Sequence, residues 1–100
     1  MISLINYKEF GAEAAPSIKE YFEKNPYKNK RMIIDYLKNG SVTAVSPGFQ
    51  TDYISGKPIK ATTTLMDDGV YSWSSTLIYY VEKYNMRLPQ EFEQYVLSKI

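Results

Sequence analysis

Asp67-Asp68-Gly69-Val70-Tyr71-Ser72-Trp73-Ser74-Ser75-Thr76-Leu77-Ile78-Tyr79-Tyr80-Val81-Glu82-Lys83-Tyr84-Asn85 is the stretch whose reading decides the fold. It holds a turn, a strand, a helix and a helix stop in immediate succession. Aspartate bonds its own backbone two residues on, and glycine takes positive φ freely, so Asp67-Asp68-Gly69 reads as a hairpin turn. Tyr71 and Trp73 alternate with Val70 and Ser72, the period of a strand with one apolar face. Ser74 supplies the hydroxyl that caps a helix. Leu77, Tyr80, Val81 and Tyr84 recur at helical spacing, with Ile78 at the edge of their stripe, while Tyr79, Glu82 and Lys83 look outward. Asn85 tolerates the left-handed conformation that ends such a helix.

Working back from the turn, Pro58 to Met66 alternates. Ile59, Ala61, Thr63 and Leu65 point one way, and Lys60, Thr62, Thr64 and Met66 the other. The turn fixes how this strand meets the next. A two-residue loop sets Tyr71 opposite Met66 and Trp73 opposite Thr64. A three-residue loop with Gly69 left-handed sets Tyr71 opposite Leu65 and Trp73 opposite Thr63. A slip of one residue flips a whole face, and only the second register gathers Ile59, Ala61, Leu65, Tyr71 and Trp73 on one side. That register is therefore expected, with Lys60, Thr62, Thr64, Met66, Val70 and Ser72 on the open face. Ser41 to Ser46 is β-branched and lies between Gly40 and Pro47, so it reads as an earlier strand. Pro47 to Lys57 reads as a loop with a turn at Ser55-Gly56-Lys57.

The rest is helical in pattern. Pro89 opens a last helix with Phe92, Tyr95, Val96 and Ile100 as its core stripe, and Leu88 packs near Phe92. Upstream, short helices are expected over Tyr7 to Phe10, started by Asn6, and from Pro16 to Lys24. A third runs from Asn25-Pro26 to Asn39-Gly40. It sets Ile33, Tyr36 and Leu37 inward and Lys28, Arg31, Asp35 and Lys38 outward, with Arg31 and Asp35 spaced to pair. The sum is one α+β domain over residues 1–100: N-terminal helices, about three antiparallel strands, then two C-terminal helices, with helices on one face of the sheet.

Composition narrows the chemistry. One hundred residues bury about 65% of the surface that the unfolded chain exposes, enough for one core. Twelve basic against eleven acidic residues give a net charge of +1, too little to steer a polyanion. Histidine and cysteine are both absent, which removes the usual general base, the commonest metal ligand and all thiol chemistry. The hydroxyls of Ser41, Thr43, Thr62, Thr63 and Thr64 have no base spaced to activate them. Gly40, Gly48, Gly56 and Gly69 stand alone, without a phosphate loop. Asp67 and Asp68 are explained as turn residues, and no calcium-loop spacing surrounds them. No cofactor, metal, membrane or small-molecule substrate is expected, and a catalyst is not the reading. The Met1 to Ile5 run is too short and insufficiently basic for a signal peptide, so a cytoplasmic protein is expected. Lys24, Lys28, Lys30 and Arg31 form a basic face, which leaves a small regulatory or nucleic-acid-binding module as the alternative function. Tyrosine supplies ten of the fifteen aromatic residues, and tyrosine is enriched where proteins meet. Tyr79 lies on a polar helix face. Phe49 and Tyr53 lie in the Pro47–Lys57 loop, where partner contacts concentrate, although Phe49 reads equally well as folded back into the core.

Thr64-Leu65-Met66-Asp67-Asp68-Gly69, Val70-Tyr71-Ser72-Trp73-Ser74-Ser75 and Tyr79-Tyr80-Val81-Glu82-Lys83-Tyr84-Asn85 are also distinctive as motifs. With Ile5-Asn6-Tyr7, Ala15-Pro16-Ser17-Ile18 and Lys38-Asn39-Gly40, they make the chain resemble small immunity proteins (CdiI-like) of bacterial contact-dependent growth inhibition systems. Thr76 departs from the acidic residue expected there, which weakens a helix-dipole contact and not the fold. The resemblance implies an inhibitor that binds a cognate toxin domain, often a nuclease acting on tRNA or DNA, and blocks its active site or substrate access. Its partner would be that protein and not nucleic acid itself. Against a nuclease, an acidic patch or a shape-based plug is expected, with Asp52, Asp67, Asp68 and Glu82 as toxin-binding candidates beside Tyr53 and Tyr79.

Overall fold

The computed structural model describes residues 1–99, with side chains at all of these except 47–49, 60 and 61. The expectations for Phe49, Lys60, Ala61 and Ile100 therefore lie outside the described residues.

Four strands form one mixed sheet in the order β1-β4-β3-β2, where β1 is Ile2–Ser3, β2 Ser41–Thr51, β3 Pro58–Asp67 and β4 Tyr71–Ser74. Three α-helices accompany it: α1 Lys30–Lys38, α2 Ser75–Tyr84 and α3 Gln90–Ser98. The α+β class is as the sequence indicates, with one addition. β1 pairs parallel with β4, its ladder running from Ile2 N–H to Val70 O and from Leu4 N–H to Ser72 O, both 2.8 Å. Two residues carry no readable alternation, so this strand had no signal.

The β3–β4 register differs from both loops considered. Leu65 faces Ser74, Met66 faces Trp73 and Asp67 faces Ser72. The reason is Asp68. Its carboxylate accepts the N–H groups of Val70 at 2.9 Å and Tyr71 at 2.7 Å, and its own N–H reaches Tyr71 O at 3.1 Å. The turn is thereby wider than a three-residue loop, although Gly69 is left-handed as expected, with φ 91°. Met66 joins Tyr71 and Trp73 in the core, while Leu65 is turned outward and 41% exposed. Trp73 is the anchor: its indole N–H donates to Leu37 O at 3.1 Å, and its ring packs against Phe92 of α3 at 6.2 Å between centroids. Apolar burial of this kind is the main driving force for folding.

The helix just after the turn behaves as its sequence says. Ser74 Oγ accepts Leu77 N–H at 3.4 Å, and Asn85 ends α2 in the left-handed conformation with φ 55°. Thr76 is buried and lies 3.3 Å from the Thr63 hydroxyl, so its neutral side chain serves the α2–β3 contact. In α1, Ile33 and Leu37 are buried and Arg31 pairs with Asp35 at 3.1 Å, one turn apart and exposed. α1 begins at Lys30, later than Pro26 suggested, after a turn at Tyr27–Lys30.

The N-terminal helices shrink to two 3-10 turns, Lys8–Phe10 and Ile18–Tyr21. Ser17 caps the second with a full capping box. Tertiary contacts then win over helix extension. Phe22 pairs with Met86 and stacks on Tyr84, ring centroids 4.9 Å apart, which requires extended backbone. β2 runs past Pro47 to Thr51, longer than expected, with irregular register near Val42, Ser46 and Phe49. An edge strand tolerates a proline that a central one would not.

Gly40 ends α1 for reasons of space. A Cβ built there would lie 2.5 Å from Trp73 Cζ2 and 3.2 Å from Asp67 O. Gly40→Ala should lower stability by about 2 kcal/mol through overpacking, read as a lower urea midpoint with unchanged slope. An unchanged midpoint would mean that the indole moves aside freely.

Candidate functional site

The tip of the β2–β3 hairpin, Asp52 to Lys57, is built around one carboxylate. Asp52 is 1% exposed. Its Oδ1 accepts Ile54 N–H at 2.7 Å and Ser55 N–H at 3.1 Å, the bonds of an Asx turn. Its Oδ2 accepts the hydroxyls of Tyr79 at 2.6 Å and Tyr84 at 2.7 Å, both from α2. Lys83 Nζ lies 3.5 Å from the same oxygen and donates to Tyr79 Oη at 3.1 Å. Gly56 closes the tip with φ 75°, its N–H on Asp52 O at 2.8 Å. Tyr53 N–H adds a further tie, to Tyr80 Oη at 3.0 Å. Burial works against ionisation of Asp52, but the four donated hydrogen bonds outweigh it and hold the carboxyl well below the ordinary range.

Asp68 repeats this device at the far end of β3. Besides the two turn amides, its Oδ2 accepts Tyr36 Oη–H at 2.5 Å and Tyr95 Oη–H at 2.8 Å, from α1 and α3. Burial again opposes ionisation, and the donors hold the pKa at about 2 against an ordinary 3.8. In both places an Asp ties a turn to helices through two tyrosines. Four of the ten tyrosines are used in this way, which accounts for much of the tyrosine content.

The six residues expected to bind a partner are therefore distributed, not gathered into an acidic patch. Asp52 is interior, and Tyr79 is half-buried on it. Asp68 is committed to its own turn, and Asp67 accepts Gly69 N–H at 3.0 Å. Glu82 is exposed on α2 but pairs with Lys38 of α1 at 3.0 Å. Tyr53 and Glu82 alone among the six are exposed, and Tyr53, at 47%, has no hydrogen bond from its hydroxyl among the described residues. Ile54 beside it is 38% exposed and was not singled out from the sequence. Its signal was available: an aliphatic residue inside the Asp52-to-Gly56 turn, where polar residues are the norm.

Beside the tip runs a groove of about 500 Å³, with Phe10, Gln50, Tyr53, Thr63, Leu65 and Thr76 among its lining residues. The basic face is less free than its sequence implied. Lys30 Nζ donates to Glu82 O at 2.8 Å and Asn85 Oδ1 at 2.6 Å, and Arg31 is paired with Asp35. Lys24 and Lys28 remain exposed. Among the described residues, no group of three acidic side chains is placed to hold a metal ion, and no helix is long and apolar enough to cross a membrane. Compared with models of protein families, with curated proteins and with solved structures, the chain matches none.

Proposed function

We propose that this chain is a catalytically inert, cytoplasmic immunity protein. It binds the C-terminal domain of a contact-dependent growth inhibition toxin, a nuclease acting on tRNA or DNA, and occludes its active site or substrate access. The motif resemblance motivates the reading. The observation that carries it is the surface of the β2–β3 hairpin. Val42, Val45, Tyr53, Ile54 and Leu65 are five of the nine large hydrophobic residues exposed among those described. Exposed apolar side chains concentrated on one hairpin, on both of its faces and at its tip, mark an element that another protein contacts. The four acidic candidates, Asp52, Asp67, Asp68 and Glu82, are engaged within the fold, so the inhibitor fits a plug of matching shape better than a mimic of nucleic acid.

The reading predicts a toxin gene immediately upstream, and co-expression with the C-terminal domain of its product tests it. A stoichiometric complex, together with restored growth of cells making the toxin domain, is the expected result. Free passage of the two chains through size exclusion at micromolar concentration would end the reading. The nucleic-acid alternative retains Lys24 and Lys28. It requires binding that weakens steeply with salt and with charge reversal at Lys28.

A further inference from the structure

We propose that the Tyr53–Ile54 tip is the anchor that enters the toxin domain, and that Asp52 is its positioning residue. The inference rests on the immunity reading and names the part of the surface that does the work. Tyr53 and Ile54 are exposed at 47% and 38% although both stand on a turn held from within. The amides of Ile54 and Ser55 are bonded to Asp52, and that of Tyr53 to Tyr80 Oη. Three successive backbone N–H groups are thus fixed, while the two side chains above them are partly packed on the fold and keep an outward apolar surface. The same carboxylate is tied to α2 through Tyr79 and Tyr84, so the tip cannot shift without leaving the helix.

A hairpin tip needs none of this to turn a chain. Ser55-Gly56 already supplies turn chemistry, and burying a carboxylate is unfavourable unless it is fully bonded. What the buried network adds is rigidity at two outward apolar side chains. Ordering a loop on binding opposes affinity, and a tip already ordered avoids that loss. Tyrosine beside an aliphatic residue is also the composition of an interface anchor, apolar in body with a polar end. The partner feature it fits is an apolar pocket on the toxin domain with a hydrogen-bonding group at its base. The groove lined by Phe10 and Leu65 receives what surrounds that pocket.

The test uses the full chain and the catalytically inactivated C-terminal domain of the toxin that the immunity reading predicts immediately upstream. Tyr53→Ala/Ile54→Ala leaves the Asp52 network intact and should keep the far-ultraviolet spectrum, with the urea midpoint lowered far less than by Asp52→Ala. It should weaken binding about 30-fold or more. Asp52→Asn keeps both contact side chains. It should speed amide exchange at Tyr53, Ile54 and Ser55 about 10-fold relative to core amides of α2, and weaken binding by a similar factor. If the domain binds both variants as tightly as the native protein, the tip is not the anchor and the immunity reading survives. If Asp52→Asn speeds exchange in α2 as much as at the tip, Asp52 serves the fold at large and the positioning role is overturned. If the native protein does not bind the domain at all, the immunity reading falls and the inference with it.

Discussion

Asp52→Ala should destabilise the protein by about 4 kcal/mol, the scale of a broken buried network. The substitution leaves four donors facing an empty space: the hydroxyls of Tyr79 and Tyr84 and the amides of Ile54 and Ser55. Each unpaired buried donor costs about 1 to 3 kcal/mol, and water entering the gap recovers part of that. Lys83 also loses its nearest carboxylate, but it is half-exposed and adds little. Asp52→Asn should cost less than half as much, because an amide oxygen still accepts from the Asx turn. The comparison separates charge from shape. Equal losses for Ala and Asn would show that the hydroxyl bonds of Tyr79 and Tyr84 dominate. Losses under about 1 kcal/mol for both would mean that the tip is solvated and unimportant to stability. Equilibrium urea unfolding, monitored by the single Trp73, reads all three proteins on one scale.

How much of this was legible follows from where each signal lives. The Ser74 cap, the stripe of α2 and the stop at Asn85 are local, and the structure keeps all three. The inward turn of Trp73 and Tyr71 was also readable from alternation. The face of β3 was not. Its alternation sets Ile59, Ala61 and Leu65 against Met66 alone, so hydrophobicity pointed to the face that the structure turns outward at Leu65. The choice was made by Asp68, whose turn bonds depend on tyrosines 32 residues before and 27 after it. The N-terminal turns failed as helices for the same kind of reason. Phe22 and Glu9 are drawn to distant partners, Met86 for the one and the Ser17 hydroxyl with Ile18 N–H for the other. Among the site residues, Tyr53 was recognisable as a loop aromatic. Asp52 was singled out for its charge, yet its role comes from burial, and burial of an acid is invisible until its donors are placed.

The second large effect is the response to acid, which passes through the same two carboxylates. Asp68 titrates at about 2 in the folded protein against an ordinary 3.8, and Asp52 is displaced in the same direction. In the unfolded chain both bind protons near the ordinary value. Between the two values the unfolded state therefore holds more protons, and stability falls as pH falls. The contribution is complete above about pH 5 and is lost as pH drops through the folded values. For Asp68 alone the displacement corresponds to about 2 kcal/mol, and Asp52 adds to it. Unfolding free energy should thus hold level from about pH 7 to 5 and decline steeply below about pH 4. Asp68→Asn should begin lower at neutral pH and decline less steeply, because one of the two groups no longer titrates. The remaining decline belongs to Asp52, with a smaller share from Glu9, whose pKa is lowered by Ser17 and Ile18 against the effect of burial. A variant whose acid decline keeps the native steepness would show that Asp68 is not held ionised by Tyr36 and Tyr95. It would also remove the electrostatic reason for the β3–β4 register, since a neutral Asp68 has weaker hold on the amides of Val70 and Tyr71.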